Sequence, residues 1–273
     1  VRVDEALRFA QAEPGLPAHE ARMLLAHASG LSQVALIAHP EAVLDAPRQA
    51  SYAALVARRR AGEPVAYLLG EREFFGLSLA VGPAVLIPRP ETELLVDLAL
   101  AQLGPGGRLL DLGTGSGAVA LAVKAQRPDA RVSAVDASAE ALATAQANAV
   151  RHGLEVEFLH GDWCVPVAGR RFNLIAGNPP YIAEGDRHLG EGDLRHEPRH
   201  ALVGGPDGLD CLRRIVLTAP PCLYPGGWLM LEHGHDQAGG VRELFEQSGF
   251  LNVRSENDLA GIARCTIGQY YSE

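Results

Sequence analysis

Arg108-Leu-Leu-Asp-Leu-Gly-Thr-Gly-Ser-Gly-Ala118 is an apolar run that ends in a glycine-rich turn and leads into a helical stretch. Glycines there let the backbone turn sharply and let a ligand approach the peptide groups, while the start of the helix offers unpaired N–H donors. Asp136 ends the next apolar run, where a carboxylate is placed to accept hydrogen bonds from a ribose diol. The pattern leaves three readings open. Gly113, Gly115 and Ala118 also satisfy the dinucleotide fingerprint, so NAD competes with S-adenosylmethionine, and a purely structural turn is the third. The acid two positions before Gly113 favours S-adenosylmethionine.

Outward from this turn, β-branched apolar runs alternate with helical stretches. Strands are expected near 108–112, 131–136, 155–159, 172–176, 227–232, 251–256 and 262–269, after a helix that Pro90 opens with acidic Glu91 and Glu93 in its first turn. Such alternation predicts an α/β fold, a seven-stranded Rossmann-like and mainly parallel sheet covered on both faces. The last two strands are too close in sequence for a crossover helix and should pair antiparallel at the end of the sheet. The first seventy residues read instead as short helices. Ala21, Leu24, Leu25 and Ala28 share a face before Gly30, Ser32 and Asp45 stand as N-caps, and Arg58 to Arg60 read as an exposed run. Between the two regions, Phe74-Phe-Gly76 flanked by alternating apolar residues signals a hairpin. The expected division is 1–70 helical bundle for partner recognition, 71–88 hairpin linker and 89–273 ligand-binding domain.

The net charge is −9, yet residues 1–90 carry nine arginines against nine carboxylates, so the whole excess of acid lies beyond residue 90. That balance argues against stable nucleic-acid binding, which needs a basic footprint. The long stretch without a charge over 215–231 is broken by Pro220, Pro221, Pro225, Gly226 and Gly227, and no apolar run reaches the roughly 20 residues of a membrane span. The opening Val-Arg-Val-Asp-Glu has no secretory character, and a cytoplasmic location is expected. Cys164, Cys211, Cys222 and Cys265 have neither metal-ligand nor disulfide-framework spacing and read as ordinary thiols. No metal is expected either from His233 and His235, or from His188, His196 and His200, whose charged neighbours suggest solvent.

Two further motifs follow strands. Asp162-Trp163 lies where doubly wound folds bind ligands, the carboxylate able to accept an adenine amine and the indole to cover its face; a helix-capping Asp with a core Trp is the plain alternative. Asn178-Pro-Pro-Tyr181 is stiff, because proline pushes the residue before it to extended backbone, and rich in acceptors, because Pro179 and Pro180 have no N–H. The Asn178 side-chain oxygen and the Pro179 carbonyl can accept both hydrogens of a planar amine or amide while the Tyr181 ring packs on its flat face. Two acceptors that hold those hydrogens help a delocalised nitrogen present its lone pair to an incoming methyl group.

At this point the chain resembles the HemK/PrmC-type protein-(glutamine) methyltransferases. The likeness spans the helical N-terminal region, Phe75-Gly76, Ile87-Pro-Arg-Pro-Glu-Thr-Glu93, the loop from Asp111 to Gly117, Asp136, Asp162-Trp163, Asn178-Pro-Pro-Tyr-Ile182 and the tail residues Asp258, Gly261 and Arg264. Glu232-His-Gly-His-Asp-Gln237 is similar to the family's Glu-x-Gly-x-x-Gln, with His235 where an aromatic or apolar residue is usual. The resemblance implies a class I methyltransferase domain acting, with S-adenosyl-L-methionine, on the glutamine amide of the Gly-Gly-Gln motif in class I peptide chain release factors. It implies cofactor contacts from Gly113, Thr114, Gly115, Ser116, Gly117, Asp136, Asp162, Trp163 and Asn178, catalytic roles for Asn178, Pro179 and Tyr181, and substrate contacts from Asn178, Pro179, Pro180 and Tyr181. The same Asn-Pro-Pro-Tyr occurs in DNA and RNA amino-methyltransferases, which keeps an exocyclic base amine as the rival acceptor, and an NAD-dependent oxidoreductase as a more distant one. The loop over 183–200 mixes both charges and is long enough to suggest a surface facing the substrate.

Overall fold

The computed structural model describes residues 1–12 and 15–271; Glu13, Pro14, Ser272 and Glu273 lie outside the described residues. The chain divides into two compact units, Val1–Glu71 with Gly190–His196, and Arg72–Leu189 with Glu197–Glu273.

The first unit holds α1 (Val3–Gln11), α2 (Ala18–Ser29), α3 (Gln33–Ala38), α4 (Ala46–Arg60) and α5 (Val65–Leu69). Its punctuation follows the expected chemistry. Gly30 closes α2 in the left-handed region at φ 70°, its N–H donating to the Ala26 carbonyl. The Ser32 and Asp45 side chains accept from the backbone N–H groups of Ala35 and Arg48 at the starts of α3 and α4. Leu24, Leu25, Leu36, Tyr52 and Val56 form the core, each fully buried leucine contributing about 1.5–3 kcal/mol relative to exposure. Arg59 departs from the expected exposed run. Its side chain is only 18% exposed, and it pairs with Glu20 at 2.7 Å and with Asp193, from the inserted 190–196 segment, at 2.8 Å.

The second unit starts with the hairpin β1 (Glu71–Phe74) and β2 (Leu77–Ala80), although Glu71 itself clusters with the helices. Phe75 and Gly76 both have positive φ, 49° and 79°, the conformation that a two-residue hairpin loop demands. The strained Phe75 is held by its N–H, which donates to Glu93 Oε1 at 3.0 Å. Phe74 and Leu79 enter the same core as the helices that follow, so the hairpin is built into this unit.

Those helices are α6 (Glu93–Gln102), α7 (Ala118–Gln126), α8 (Ala139–His152), α9 (Asp210–Thr218) and α10 (Ala238–Gln247). They flank a sheet of β3 (Arg108–Leu112), β4 (Arg131–Asp136), β5 (Glu157–His160), β6 (Phe172–Gly177), β7 (Leu223–Glu232), β8 (Phe250–Asn257) and β9 (Ala263–Tyr270), in spatial order β5-β4-β3-β6-β7-β9-β8. The first five are parallel, and β9 runs antiparallel to both its neighbours. The two final strands pair as expected, but β9 is inserted beside β7 and leaves β8 at the edge. Asp258 makes this tight return possible, its Oδ1 accepting from the N–H groups of Ala260 and Ile262. β7 begins four residues earlier than its apolar run suggests, its partner register with β6 shifting between Phe172 and Leu174.

The sheet order reverses at β3, with β4 on one side and β6 on the other. The carboxyl ends of β3, β4, β6 and β7 therefore reach one edge of the sheet, the place where doubly wound folds open a crevice.

Candidate active site

Asp111 sits at the end of β3 and is almost fully buried. Its Oδ2 accepts from the Thr114 hydroxyl at 2.7 Å and from the Ala120 N–H at 3.2 Å. Burial pushes its carboxyl up to about 6 against those two hydrogen bonds, with the Asp136 charge adding to the rise. Asp111 thus shapes the glycine turn from below. Asp136, at the end of β4, takes the upper side: Oδ2 accepts from Gly115 N–H and Oδ1 from Ser138 N–H, both at 2.8 Å. A carboxylate keeps further lone pairs after two such bonds.

A cavity of about 190 Å³ lies over this turn, its wall including Gly113, Gly115, Asp136, Asp162, Trp163, Asn178 and Pro180. A second chamber of about 50 Å³ adjoins it and shares Leu86, Gly113, Gly115 and Asn178, adding the hydroxyl residues Thr92, Thr114 and Ser116. Gly113 and Gly115 have φ of 70° and 56°, and a Cβ on Gly115 would meet nothing within 4 Å, so the backbone is bare toward the space above. Gly117 differs. A Cβ there would lie 2.9 Å from Leu121 Cδ1 and 3.3 Å from Ala145 Cβ, so this glycine serves the packing of α7 against α8. A larger open groove of about 910 Å³ lies at the amino ends of β3 and β4, beside Arg108 and Arg131, and holds none of the motif residues.

Trp163 has φ 47°, a left-handed conformation costing about 1–3 kcal/mol for a bulky residue. Its indole Cζ3 stands 3.5 Å from where a Gly113 Cβ would be. The strain is therefore spent on placing a flat ring at the cavity wall. The Asp162 carboxylate beside it forms an ion pair with Arg214 of α9.

Asn178 sits where the two chambers meet. Its Nδ2 donates to Thr92 Oγ1 at 3.2 Å, and its Oδ1 has no donor among the described residues. Pro179 is buried, and neither it nor Tyr181 contributes to either chamber wall. The Tyr181 hydroxyl donates to Glu232 Oε1 at 3.3 Å, and its carbonyl accepts from Gln237 Nε2 at 2.9 Å. Glu232, at the end of β7, is 1% exposed, and its Oε2 has no hydrogen-bond partner among the described residues. Burial pushes Glu232 up to about 7, while the Thr92 and Tyr181 hydroxyls and the Arg264 charge work against the rise and Glu91 adds to it. Burial likewise raises the Tyr181 phenol, with the Glu232 charge adding to it.

Four participants were not visible as such in the sequence: Thr92, Arg214, Glu197 and the buried state of Glu232. Glu197 lies in the charged 183–200 loop, yet its side chain is wholly buried, with Oε1 on Arg89 and Oε2 accepting from Ile87 N–H at 2.9 Å. It pins the segment that carries Leu86, Pro88 and Arg89 along the chamber walls. His233 also corrects the expectation of solvent. It is fully buried, with Nδ1 beside the Gly234 carbonyl and Nε2 beside Thr266 Oγ1, and burial lowers its pKa. Among the described residues no group of three or more His, Cys, Asp or Glu could hold a metal ion, and no helix is long and apolar enough to cross a membrane.

Residues 5–70 match the family described as PrmC N-terminal domain, and residues 90–193 the one described as methyltransferase small domain. The release factor glutamine methyltransferase of Bordetella pertussis is 52% identical over 260 residues, covering 94% of this chain and 96% of its own. The protein of the same description from Vibrio cholerae is 46% identical over 281 residues, covering 100% and 98%. Among solved structures, a methyltransferase from Pyrococcus furiosus shares the fold with a TM-score of 0.57 at 19% identity, over 79% of this chain and 98% of that one.

Proposed function

The chain belongs to the release factor glutamine methyltransferase family, and on that premise we infer that it methylates the side-chain amide nitrogen of the Gly-Gly-Gln glutamine in class I peptide chain release factors. The observation that carries the reading is Asn178 at the junction of the two chambers, tied by Nδ2 to Thr92 with Oδ1 left to accept.

S-adenosyl-L-methionine, when bound, supplies a methyl group on a sulfonium and departs as S-adenosyl-L-homocysteine. The residues present fit such a ligand: bare glycine backbone at Gly115, Gly113 close under the Trp163 ring, a carboxylate at Asp136 with lone pairs to spare for a ribose diol, and an indole at the cavity wall. Asp162 is assigned to the adenine side, its carboxylate steadied by Arg214. Thr114 holds the turn that presents Gly113 and Gly115, Ser116 lines the smaller chamber, and Gly117 lets the helix behind it pack closely.

Asn178 Oδ1 and the Pro179 carbonyl accept the two hydrogens of the glutamine amide, Pro180 keeps the segment extended, and the Tyr181 ring, held through its hydroxyl, faces the amide plane. Holding both hydrogens orients the nitrogen lone pair, which is the main demand of an in-line transfer to a weak nucleophile. The nitrogen gains the methyl as the sulfonium S–CH₃ bond breaks and loses one proton to solvent, so the amide product is neutral.

In the same reading the helical unit recognises the release factor, and the neutral charge of residues 1–90 supports a protein partner over nucleic acid. Mass spectrometry of a release factor incubated with the protein and S-adenosyl-L-methionine tests the function. One added methyl on the Gly-Gly-Gln glutamine is expected; methylation of RNA or DNA in its place would overturn it.

A further inference from the structure

We propose that Glu232 is a positioning residue for the methyl transfer, setting through the Thr92 hydroxyl which end of the Asn178 amide is presented to the substrate. This rests on the function inferred above. An amide side chain has a donor end and an acceptor end, and only the acceptor end can hold a hydrogen of a glutamine amide. Some other group must therefore fix its orientation. The structure supplies one: Asn178 Nδ2 donates to Thr92 Oγ1, which obliges Thr92 to send its own hydrogen elsewhere. Glu232 is fully buried, with Oε1 already taken by the Tyr181 hydroxyl and Oε2 lacking a donor among the described residues, and Thr92 is close enough for its hydroxyl to act on the carboxylate although the two are not hydrogen-bonded as they stand. Rotation of the Thr92 hydroxyl toward Oε2 gives that oxygen its missing partner.

The polarity of the whole chain then follows from the carboxylate. An ionised Glu232 only accepts, so Tyr181 and Thr92 both donate to it, Asn178 Nδ2 donates to Thr92, and Asn178 Oδ1 is free for the substrate. A protonated Glu232 can donate to Thr92 instead. The Thr92 hydrogen is then released toward the Asn178 oxygen, and the amide turns its NH₂ to a substrate that brings only hydrogens. Other charged or titratable groups around the carboxylate are Arg264 and Cys265 on β9, Glu91 ahead of α6, Arg89 near Tyr181, and the adjacent His233. Arg264 favours the ionised form, whereas burial and Glu91 favour the protonated one, which brings the switch near neutral pH.

The test is the single-turnover rate of release-factor methylation against pH, with S-adenosylhomocysteine affinity measured alongside. In the wild-type protein the rate should fall about tenfold per pH unit below about 7, with the affinity unchanged. Glu232→Gln puts a donating NH₂ where one of the two accepting oxygens stands, so it cannot accept at both ends. Its rate should drop at least about tenfold at pH 8 and lose the acid limb, while S-adenosylhomocysteine still binds as in wild type. Thr92→Val should behave likewise, and Thr92→Ser, which restores the hydroxyl, should recover most of what Val loses. A Glu232→Gln protein with the wild-type rate and the same acid limb overturns the relay. A wild-type protein that methylates no glutamine overturns the function and the relay together.

Discussion

Replacing Glu197 with Ala should destabilise the catalytic unit by about 3–4 kcal/mol and weaken cofactor binding, although the residue touches neither chamber. The side chain is 0% exposed and serves two donors, the Ile87 N–H and the Arg89 guanidinium. Leaving a buried N–H without an acceptor costs about 1–3 kcal/mol. Breaking a buried ion pair costs about 3–5 kcal/mol, but Arg89 is 29% exposed and regains water, so the lower end applies. The two losses overlap, since both arise from one carboxylate, and the sum stays near the figure given. Glu197→Gln keeps an acceptor for Ile87 and forfeits the charge, which should reduce the loss to about 1–2 kcal/mol. Denaturant midpoints at constant slope measure the stability, and calorimetry with S-adenosylhomocysteine measures the site. Because Leu86, Pro88 and Arg89 line the chambers, affinity should fall about fivefold or more in the Ala protein. Both variants within 0.5 kcal/mol of wild type, a margin typical of inconsequential surface changes, would refute the reasoning.

Asn178→Ala should cut turnover on the order of a hundredfold, with a smaller effect on cofactor affinity; a rate close to wild type would mean that the amide is held elsewhere. Asp136→Ala should weaken S-adenosylhomocysteine binding by about 1.5–3 kcal/mol, and it should also lower stability, because the carboxylate accepts from Gly115 and Ser138; unchanged affinity would remove the ribose role. Glu232 is raised in the folded state, so it binds a proton there that the unfolded chain has released, and its contribution to stability falls as pH climbs from about 4.5 through about 7. Relative to wild type, Glu232→Gln should therefore gain up to about 3 kcal/mol between pH 4 and pH 8 in denaturant titrations, and a constant difference would deny the shift.

The strands were legible because each is a short apolar run set off by a turn, and β3, β4 and β6 lie where their runs lie. The capping residues of α2, α3 and α4 were legible for the same local reason. Position in the sheet was not. Nothing in residues 263–270 says that this strand lies between β7 and β8, because that order follows from which edge β7 leaves open. In the site, motif residues could be recognised, whereas their partners could not. Arg59 read as part of an exposed run and Glu197 as part of a loop facing the substrate, since the sequence does not tell which member of a mixed run turns inward. Thr92 and Glu232 are 140 residues apart, and only the folded sheet brings the hydroxyl and the carboxylate together.

The insertion of β9 between β7 and β8 sets an order of assembly on the ribosome. Synthesis delivers β7 and β8 before the strand that belongs between them, so a nascent chain carries a sheet with one open edge on β7 and a stranded β8. Glu232 pairs across that edge with Cys265, so the strand made last supplies the carboxylate's backbone neighbour on that side. The pieces of the glycine turn can form early; the buried carboxylate cannot. A chain stopped before residue 263 is left with an unpaired strand prone to join a neighbour.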